Sequence, residues 1–80
     1  MYIGSSPTIK VTGRGNPNLQ YRVRVQGTGD ARYIVGYLYA NGSTLSQRLS
    51  GLPAGNYWIF IEPWSGSSNG QTVYFDVNIS

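Results

Sequence analysis

Three carboxylates are all that this chain offers for acid–base work: Asp30, Glu62 and Asp76. Its 80 residues include no histidine and no cysteine. Serine–histidine and cysteine–histidine catalysis are therefore excluded, as is zinc held by its usual nitrogen and sulfur ligands. A glycosidase needs two carboxyl groups about 5–10 Å apart across a cleft. Glu62 and Asp76 come near each other only if their strands pair, and so short a chain builds a cleft with difficulty. Calcium needs several oxygens at one point, whereas Asp30 in Gly27-Thr28-Gly29-Asp30 reads more simply as a turn residue. Gly13-Arg14-Gly15 and Gly27-Thr28-Gly29 are not phosphate loops, because neither leads into a helix whose N-terminus would hold the anion. The expectation is no enzyme, no metal and no cofactor.

The other residues with binding chemistry are aromatic. In Tyr57-Trp58-Ile59-Phe60-Ile61-Glu62 the side chains alternate between the two faces of a strand. Tyr57, Ile59 and Ile61 share one face; Trp58, Phe60, Glu62 and Trp64 share the other. Both faces are apolar or aromatic, so one is core and the other needs a partner. The corner before it, Leu52-Pro53-Ala54-Gly55-Asn56-Tyr57, orients them; the alternative has Trp58 and Phe60 as core, with Ile59 and Ile61 covered by a loop. In such corners the Tyr ring packs inward and its hydroxyl bonds back to turn backbone. Trp58, Phe60 and Trp64 then face outward. If the strand containing Tyr33, Tyr37 and Tyr39 lies beside this one, those rings join them, and Tyr74 adds another.

The elements that hold these residues all read as strands. No window shows apolar residues at helical spacing. Thr8–Thr12 is a first strand, with Ile9 and Val11 inward. Gly13 to Asn18 is a loop by composition. Gln20–Gln26 turns Tyr21, Val23 and Val25 one way and Arg22 and Arg24 the other, and Gly27 to Asp30 turns the chain back. In Ala31–Ala40, Ile34, Gly36, Leu38 and Ala40 share one face and Tyr33, Val35, Tyr37 and Tyr39 the other. Asn41-Gly42 is the strongest short hairpin signal, since both residues tolerate positive φ. Thr44–Leu49 follows. Asn56–Glu62 comes after the corner, with Pro63 at an edge or bulge. Trp64 to Gly70 is a loop, and Thr72–Ile79 closes with Val73, Phe75, Val77 and Ile79 inward. Spacings of about 8–12 residues with turns between them predict an all-β fold: a single antiparallel Greek-key β-sandwich, immunoglobulin-like, of six to seven strands over residues 1–80, without helix.

Composition bounds the rest. A chain this short buries only about 60% of its unfolded surface, and without cysteine it has no disulfide to help. Charged residues are 11%, about half the usual share, a tendency of secreted, cell-surface or virion proteins. The net charge is +3, and the basic residues are dispersed without a run or tail, as on a solvated surface. Arg22 and Arg24 read as solvated, protecting a strand edge from unwanted pairing. No apolar stretch approaches the roughly 20 residues of a membrane-spanning helix, and no secretory leader is visible at the start.

Three functional readings result. The first is a non-catalytic interaction or assembly module binding itself or another protein through Trp58, Trp64, Tyr37, Tyr39, Phe60, Tyr33 and Tyr74. The second is a carbohydrate-binding module stacking sugars on the same rings, with Gln47, Glu62, Asp76 or Asn78 orienting hydroxyls. The third is a small basic barrel binding single-stranded nucleic acid. It ranks last because the aromatics do not interleave with a basic stripe and the short helix usual in such barrels is missing.

From Tyr21 onward the chain resembles small secreted bacterial β-sandwich modules, most of all the pre-peptidase C-terminal domain and its immunoglobulin/fibronectin-like relatives. The resemblance lies in Tyr21-Arg22-Val23-Arg24-Val25, Tyr37-Leu38-Tyr39-Ala40-Asn41-Gly42, Leu52-Pro53-Ala54-Gly55-Asn56-Tyr57-Trp58-Ile59 and Val73-Tyr74-Phe75-Asp76-Val77. It covers about three quarters of the chain, and its motifs are structural ones that many sandwiches share. It implies a non-catalytic appendage of exported enzymes or adhesins, or a virion decoration, that binds polymers or aids assembly. The acidic calcium positions of some relatives have no counterpart here.

Overall fold

Ile9, Val11, Leu19, Tyr21, Val23 and Val25 are all buried, and all six belong to one long strand rather than two. The computed structural model describes residues 1–27, 32–66 and 70–80. Among them are five strands and no helix: β1 (Tyr2–Ile3), β2 (Thr8–Gly27), β3 (Arg32–Arg48), β4 (Gly55–Gly66) and β5 (Tyr74–Ile79). Every pairing is antiparallel. β3 runs along one side of β2 for its whole length. On the other side, β5 pairs with Ile9 to Arg14 and β4 with Leu19 to Gly27. β1 adds to the start of β4, with Tyr2 opposite Asn56.

The long hairpin bends in its middle. Its register with β3 slips three times between Thr12 and Gln20. Such irregularities increase twist and turn a strand. The bend brings the inner faces of the two halves together. The Tyr21 ring, on the second half of β2, meets the Phe75 ring of β5 edge-on at 4.9 Å. Gly36 and Leu45, from opposite halves of β3, are so close that a Cβ on Gly36 would lie 2.9 Å from Leu45 Cδ1. Ile9, Val11, Val23 and Val25 are fully enclosed between the halves, each side chain contributing about 1.5–3 kcal/mol by leaving water.

Several sequence expectations change. Six to seven strands become five: Thr8–Thr12 and Gln20–Gln26 are the two ends of β2, the expected strands on either side of Asn41-Gly42 both belong to β3, and the short β1 is added. The Gly13 to Asn18 segment is the bend within it, and Asn16 is buried there. Asn41-Gly42 does not reverse the chain. Two residues of β2, from Thr12 to Arg14, are spanned by three of β3, from Thr44 to Asn41. Gly42 at φ 93° serves that bulge, and Asn41 Oδ1 accepts the Ser43 N–H at 3.0 Å. A second bulge corrects the faces of β3. Val23 opposes Gly36 and Arg24 opposes Ile34, so Val35 is the extra residue. Val35 is therefore buried and Ile34 exposed, the reverse of the alternation read from sequence. The turn at Thr28 to Asp30, Ala31, and Ser67 to Asn69 of the expected Trp64–Gly70 loop lie outside the described residues, so the reading of Asp30 does too. β4 itself continues to Gly66.

The corner is as expected. Tyr57 is buried, and its hydroxyl donates to the Pro53 carbonyl at 2.7 Å. Leu52 is buried beside it, and the turn is tied to the chain's start by Ser6 N–H to Leu52 O (2.9 Å) and Leu49 N–H to Pro7 O (2.8 Å). The left-handed residue of the corner is Gly51, at φ 85°, and not Gly55. A Cβ on Gly55 would make only ordinary contact with Tyr57, at 3.7 Å.

Two stability predictions follow from these contacts. Tyr57→Phe loses one hydrogen bond and lowers stability by about 1 kcal/mol, read as a shift in the urea midpoint at unchanged slope. Coincident midpoints would contradict the corner assignment. Gly15 sits at φ 115°, where an added Cβ would run into the Thr72 carbonyl oxygen. Gly15→Ala therefore costs at least about 1–3 kcal/mol in the same denaturation measurement, and a wild-type midpoint would rule out the bend described here.

Candidate functional site

Arg22 and Arg24 stand in the middle of the candidate site because β2 lies between β3 and β4. β2 alternates with valines inward, so Gln20, Arg22, Arg24 and Gln26 point to the outer face. On β4, Trp58 lies opposite Gln26, Phe60 opposite Arg24 and Glu62 opposite Arg22. On β3, Ile34 lies opposite Arg24, Tyr37 opposite Arg22 and Tyr39 opposite Gln20. Trp64 is bulged, since Tyr21 opposes Pro63 and Gln20 opposes Ser65. The bulge places the Trp64 ring over Arg22.

The contacts make one network. Glu62 Oε1 accepts from Arg22 Nε (3.1 Å), Arg22 Nη2 (2.8 Å) and Arg24 Nε (2.9 Å). Arg24 Nη1 donates to Gln26 Oε1 at 2.7 Å. The Arg22 guanidinium lies 4.3 Å from the Trp64 ring centre and that of Arg24 4.2 Å from Phe60. Tyr37 meets Trp64 at 5.7 Å with the rings tilted by 55°. Ring faces attract cations through their quadrupole, and a planar guanidinium also stacks. The arginines therefore hold the rings in place. Trp58 and Trp64 remain 59% and 51% exposed, and Phe60, Tyr37, Tyr39 and Ile34 are exposed too.

The outer face on the other half of the fold is different. There, Thr8, Lys10 and Thr12 of β2 lie between Thr44, Ser46 and Arg48 of β3 and Asp76 and Asn78 of β5. Thr12 and Thr44 share a hydroxyl hydrogen bond of 2.6 Å. That face is polar, and the aromatic rings are concentrated on its counterpart.

The structure gathers Trp58, Phe60, Trp64, Tyr37 and Tyr39 and leaves out two predicted members. Tyr33 opposes the inward Val25. It lines a hollow of about 230 Å³ with Pro53 and Tyr57 at the rim of the core. Tyr74 is on β5, opposite Arg14, whose guanidinium lies 5.9 Å from its ring. The expected adjacency of the strand of Tyr37 with that of Trp58 is also corrected: β2 separates them. So is the reading of Arg22 and Arg24 as edge protection, since their strand is central, and the statement that aromatics and basic residues do not interleave. Glu62 and Asp76 do not meet; they sit opposite Arg22 and Thr12, far apart along β2. Sequence reasoning missed Gln20, Gln26 and Ile34 as members of the face. Period-2 alternation in Gln20–Gln26 marks the two glutamines, but only the Val35 bulge turns Ile34 outward.

The chain matches no protein-family model, and searches of the curated proteins and of the solved structures give no match either.

The Glu62 carboxyl is held below the usual carboxylate range by its hydrogen bonds from Arg22, then from Arg24, against the opposing push of partial burial. A carboxyl with a lowered folded-state pKa adds stability above its unfolded value. That stability is lost as pH falls through the lowered value. Wild-type protein should therefore exceed Glu62→Gln in urea midpoint at about pH 7, and the gap should close by about pH 2. A gap that stays constant across this range would mean that Glu62 is not paired as described.

Proposed function

We propose that the protein is a non-catalytic interaction module that docks another protein on the face formed by Trp58, Phe60, Trp64, Tyr37, Tyr39 and Ile34. The observation that carries this reading is the arginine–glutamate network stacked on Phe60 and Trp64, with Tyr37 against Trp64, in a face whose rings stay exposed. Exposed apolar clusters of this kind mark contact sites, and Trp, Tyr and Arg are the residue types that anchor protein interfaces. The face carries the guanidiniums of Arg22, Arg24 and Arg32 against the single carboxylate of Glu62. Two copies placed face to face would oppose like charges, so the partner we favour is a different protein with acidic groups around an apolar centre.

The fold reading that accompanies this is a small Greek-key sandwich of immunoglobulin-like kind, akin to the pre-peptidase C-terminal domain, working outside the cell or on a cell or virion surface. Its support is the layered packing of the bent hairpin and the low charge content. Absence of catalysis is supported by Glu62 being engaged by two arginines and standing away from Asp76.

Carbohydrate binding is the second reading, and one observation favours it. Glu62 stands between Phe60 and Trp64 along β4 and its side chain is 34% exposed, so a sugar stacked on either ring would have a carboxylate acceptor nearby. The 55° tilt of Tyr37 against Trp64 disfavours a long flat glycan, and Ile34 offers a sugar little. Nucleic acid stays third, because three guanidiniums on one short face suit a few acidic groups, whereas single-stranded nucleic acid is held in a longer positive groove that tracks its backbone.

The test is selection of binders from a displayed peptide library, followed by affinity measurement with Trp58→Ala and Trp64→Ala, whose far-ultraviolet dichroism should match wild type. Peptides rich in Asp or Glu and apolar residues, weakened about tenfold or more by either change and by added salt, are expected. Retention by a neutral polysaccharide, lost in Trp58→Ala, would replace protein docking with sugar binding. Preference for a single-stranded oligonucleotide would replace both.

A further inference from the structure

The free edges of this sheet are not alike. β3 is interrupted by its bulges at Val35 and near Gly42, and β4 by Pro63 and the bulged Trp64. Bulges and prolines are devices that keep an edge from pairing with another chain. β5 has neither. Its ladder with β2 runs from Ile9 opposite Ile79 to Arg14 opposite Tyr74 without a register shift.

Thr8 and Ser80 exchange both backbone bonds, at 2.8 and 3.0 Å. Such pairs alternate along an antiparallel ladder. The backbone groups directed at β2 are therefore those of Tyr74, Asp76, Asn78 and Ser80. The N–H and C=O groups of Phe75, Val77 and Ile79 point the other way, and among the described residues nothing pairs with them. Val77 is on the core side of the strand, yet it is 42% exposed. With Ile3, Pro7 and Ile79 it lines an open cleft of about 420 Å³ between β5 and the β1 segment.

We propose that this edge is filled by β5 of a second copy, antiparallel about a two-fold axis through Val77. The strand is self-complementary in that register. Val77 meets the partner's Val77, and Phe75 meets the partner's Ile79. Asp76 meets the partner's Asn78, and Tyr74 the partner's Ser80. The residues with free backbone groups face one another, the apolar side chains stay on one side, and each carboxylate faces an amide. Moving the axis to Asp76 would oppose two carboxylates, which destabilises a strand pair. Moving it to Asn78 would leave Tyr74 and Phe75 without partners. The guanidiniums of Arg22, Arg24 and Arg32 are on the other half of the fold; on this half Arg14 is paired with Asp76 at 3.6 Å, and Lys10 and Arg48 stand one and two strands in from the edge. The joined strands cover Val77 and narrow the cleft. The aromatic face is not involved, so this inference is independent of the docking reading.

Sedimentation velocity of the full chain from about 10 μM to about 1 mM tests the proposal. A concentration-dependent dimer is expected. Val77→Pro removes an N–H that bonds to nothing within the chain and should give a monomer with wild-type circular dichroism. If that variant fails to fold, Asn78 still decides. Asn78→Lys places an ammonium opposite Asp76 twice per dimer and should tighten it by a factor of about 2–30. Asn78→Asp should weaken it by a similar factor, and salt should reduce both effects. Trp58→Ala should leave the dimer unchanged. A wild-type chain that stays monomeric throughout overturns the proposal, whatever extended peptide the edge then accepts. So does equal dimerisation of Asn78→Lys and Asn78→Asp, or a dimer lost in Trp58→Ala.

Discussion

β2 takes part in every ladder of the described sheet except the short one between β1 and β4. That single strand is the constraint on which the rest depends. Its bend between Thr12 and Gln20 folds the long hairpin so that Tyr21 on one half reaches Phe75 on the other. β5 and β4 share one side of it in succession, so each half acquires a further strand, and the chain crosses from β3 to reach β4 on the far side of β2. The inner residues of both halves then close over one core. A chain with no disulfide and a small core can fold this way because backbone ladders satisfy the polar groups that enter the core with Ile9, Val11, Val23 and Val25.

The central position of β2 also determines the chemistry of the outer face. An arginine on a middle strand has neighbours on both sides, so part of its hydration is lost. Arg22 and Arg24 are stable there because one carboxylate, Glu62, receives three of their N–H groups and the Trp64 and Phe60 rings cover their planes. The relation is reciprocal. Large rings on a solvent face would otherwise rotate, and the stacked guanidiniums restrict them. Phe60 and Trp64 are thus stacked before any partner arrives, which reduces the side-chain entropy they lose on binding. The opposite outer face is mostly Thr, Ser, Lys and Asn, and its one arginine–ring contact, Arg14 with Tyr74 beside Asp76, is longer and more exposed.

Much of this was legible in the residues alone. Alternation in Tyr21 to Val25 and in Tyr57 to Ile61 is a property of a single extended segment, and the buried and exposed sets there are those it predicts. The Leu52 to Tyr57 corner was also readable, because the tyrosine bonds to a carbonyl only four residues away. Local geometry was sufficient for both. The glycines and asparagines misled. Asn41-Gly42 and the Gly13 to Asn18 stretch carry turn chemistry, but turns and bulges use the same backbone conformations. Whether positive φ reverses a chain or merely kinks it depends on how far the partner strand continues. Here β2 and β3 run on past both places.

The sequence by itself determined the all-β character, the inward face of each regular strand, the tyrosine corner and the absence of helix. Tertiary structure alone decided that two expected strands are one, that Val35 enters the core while Ile34 leaves it, and that β2 separates the rings of β3 from those of β4. It also decided that Arg22 and Arg24 belong to the candidate site, that Tyr33 and Tyr74 do not, and that β5 keeps a regular open edge. The physical reason is the range of the forces involved. Side-chain alternation follows from the pleat of one strand, whereas register, bulges and strand order are set by which distant ladder satisfies each backbone group, and no short window of residues contains both partners.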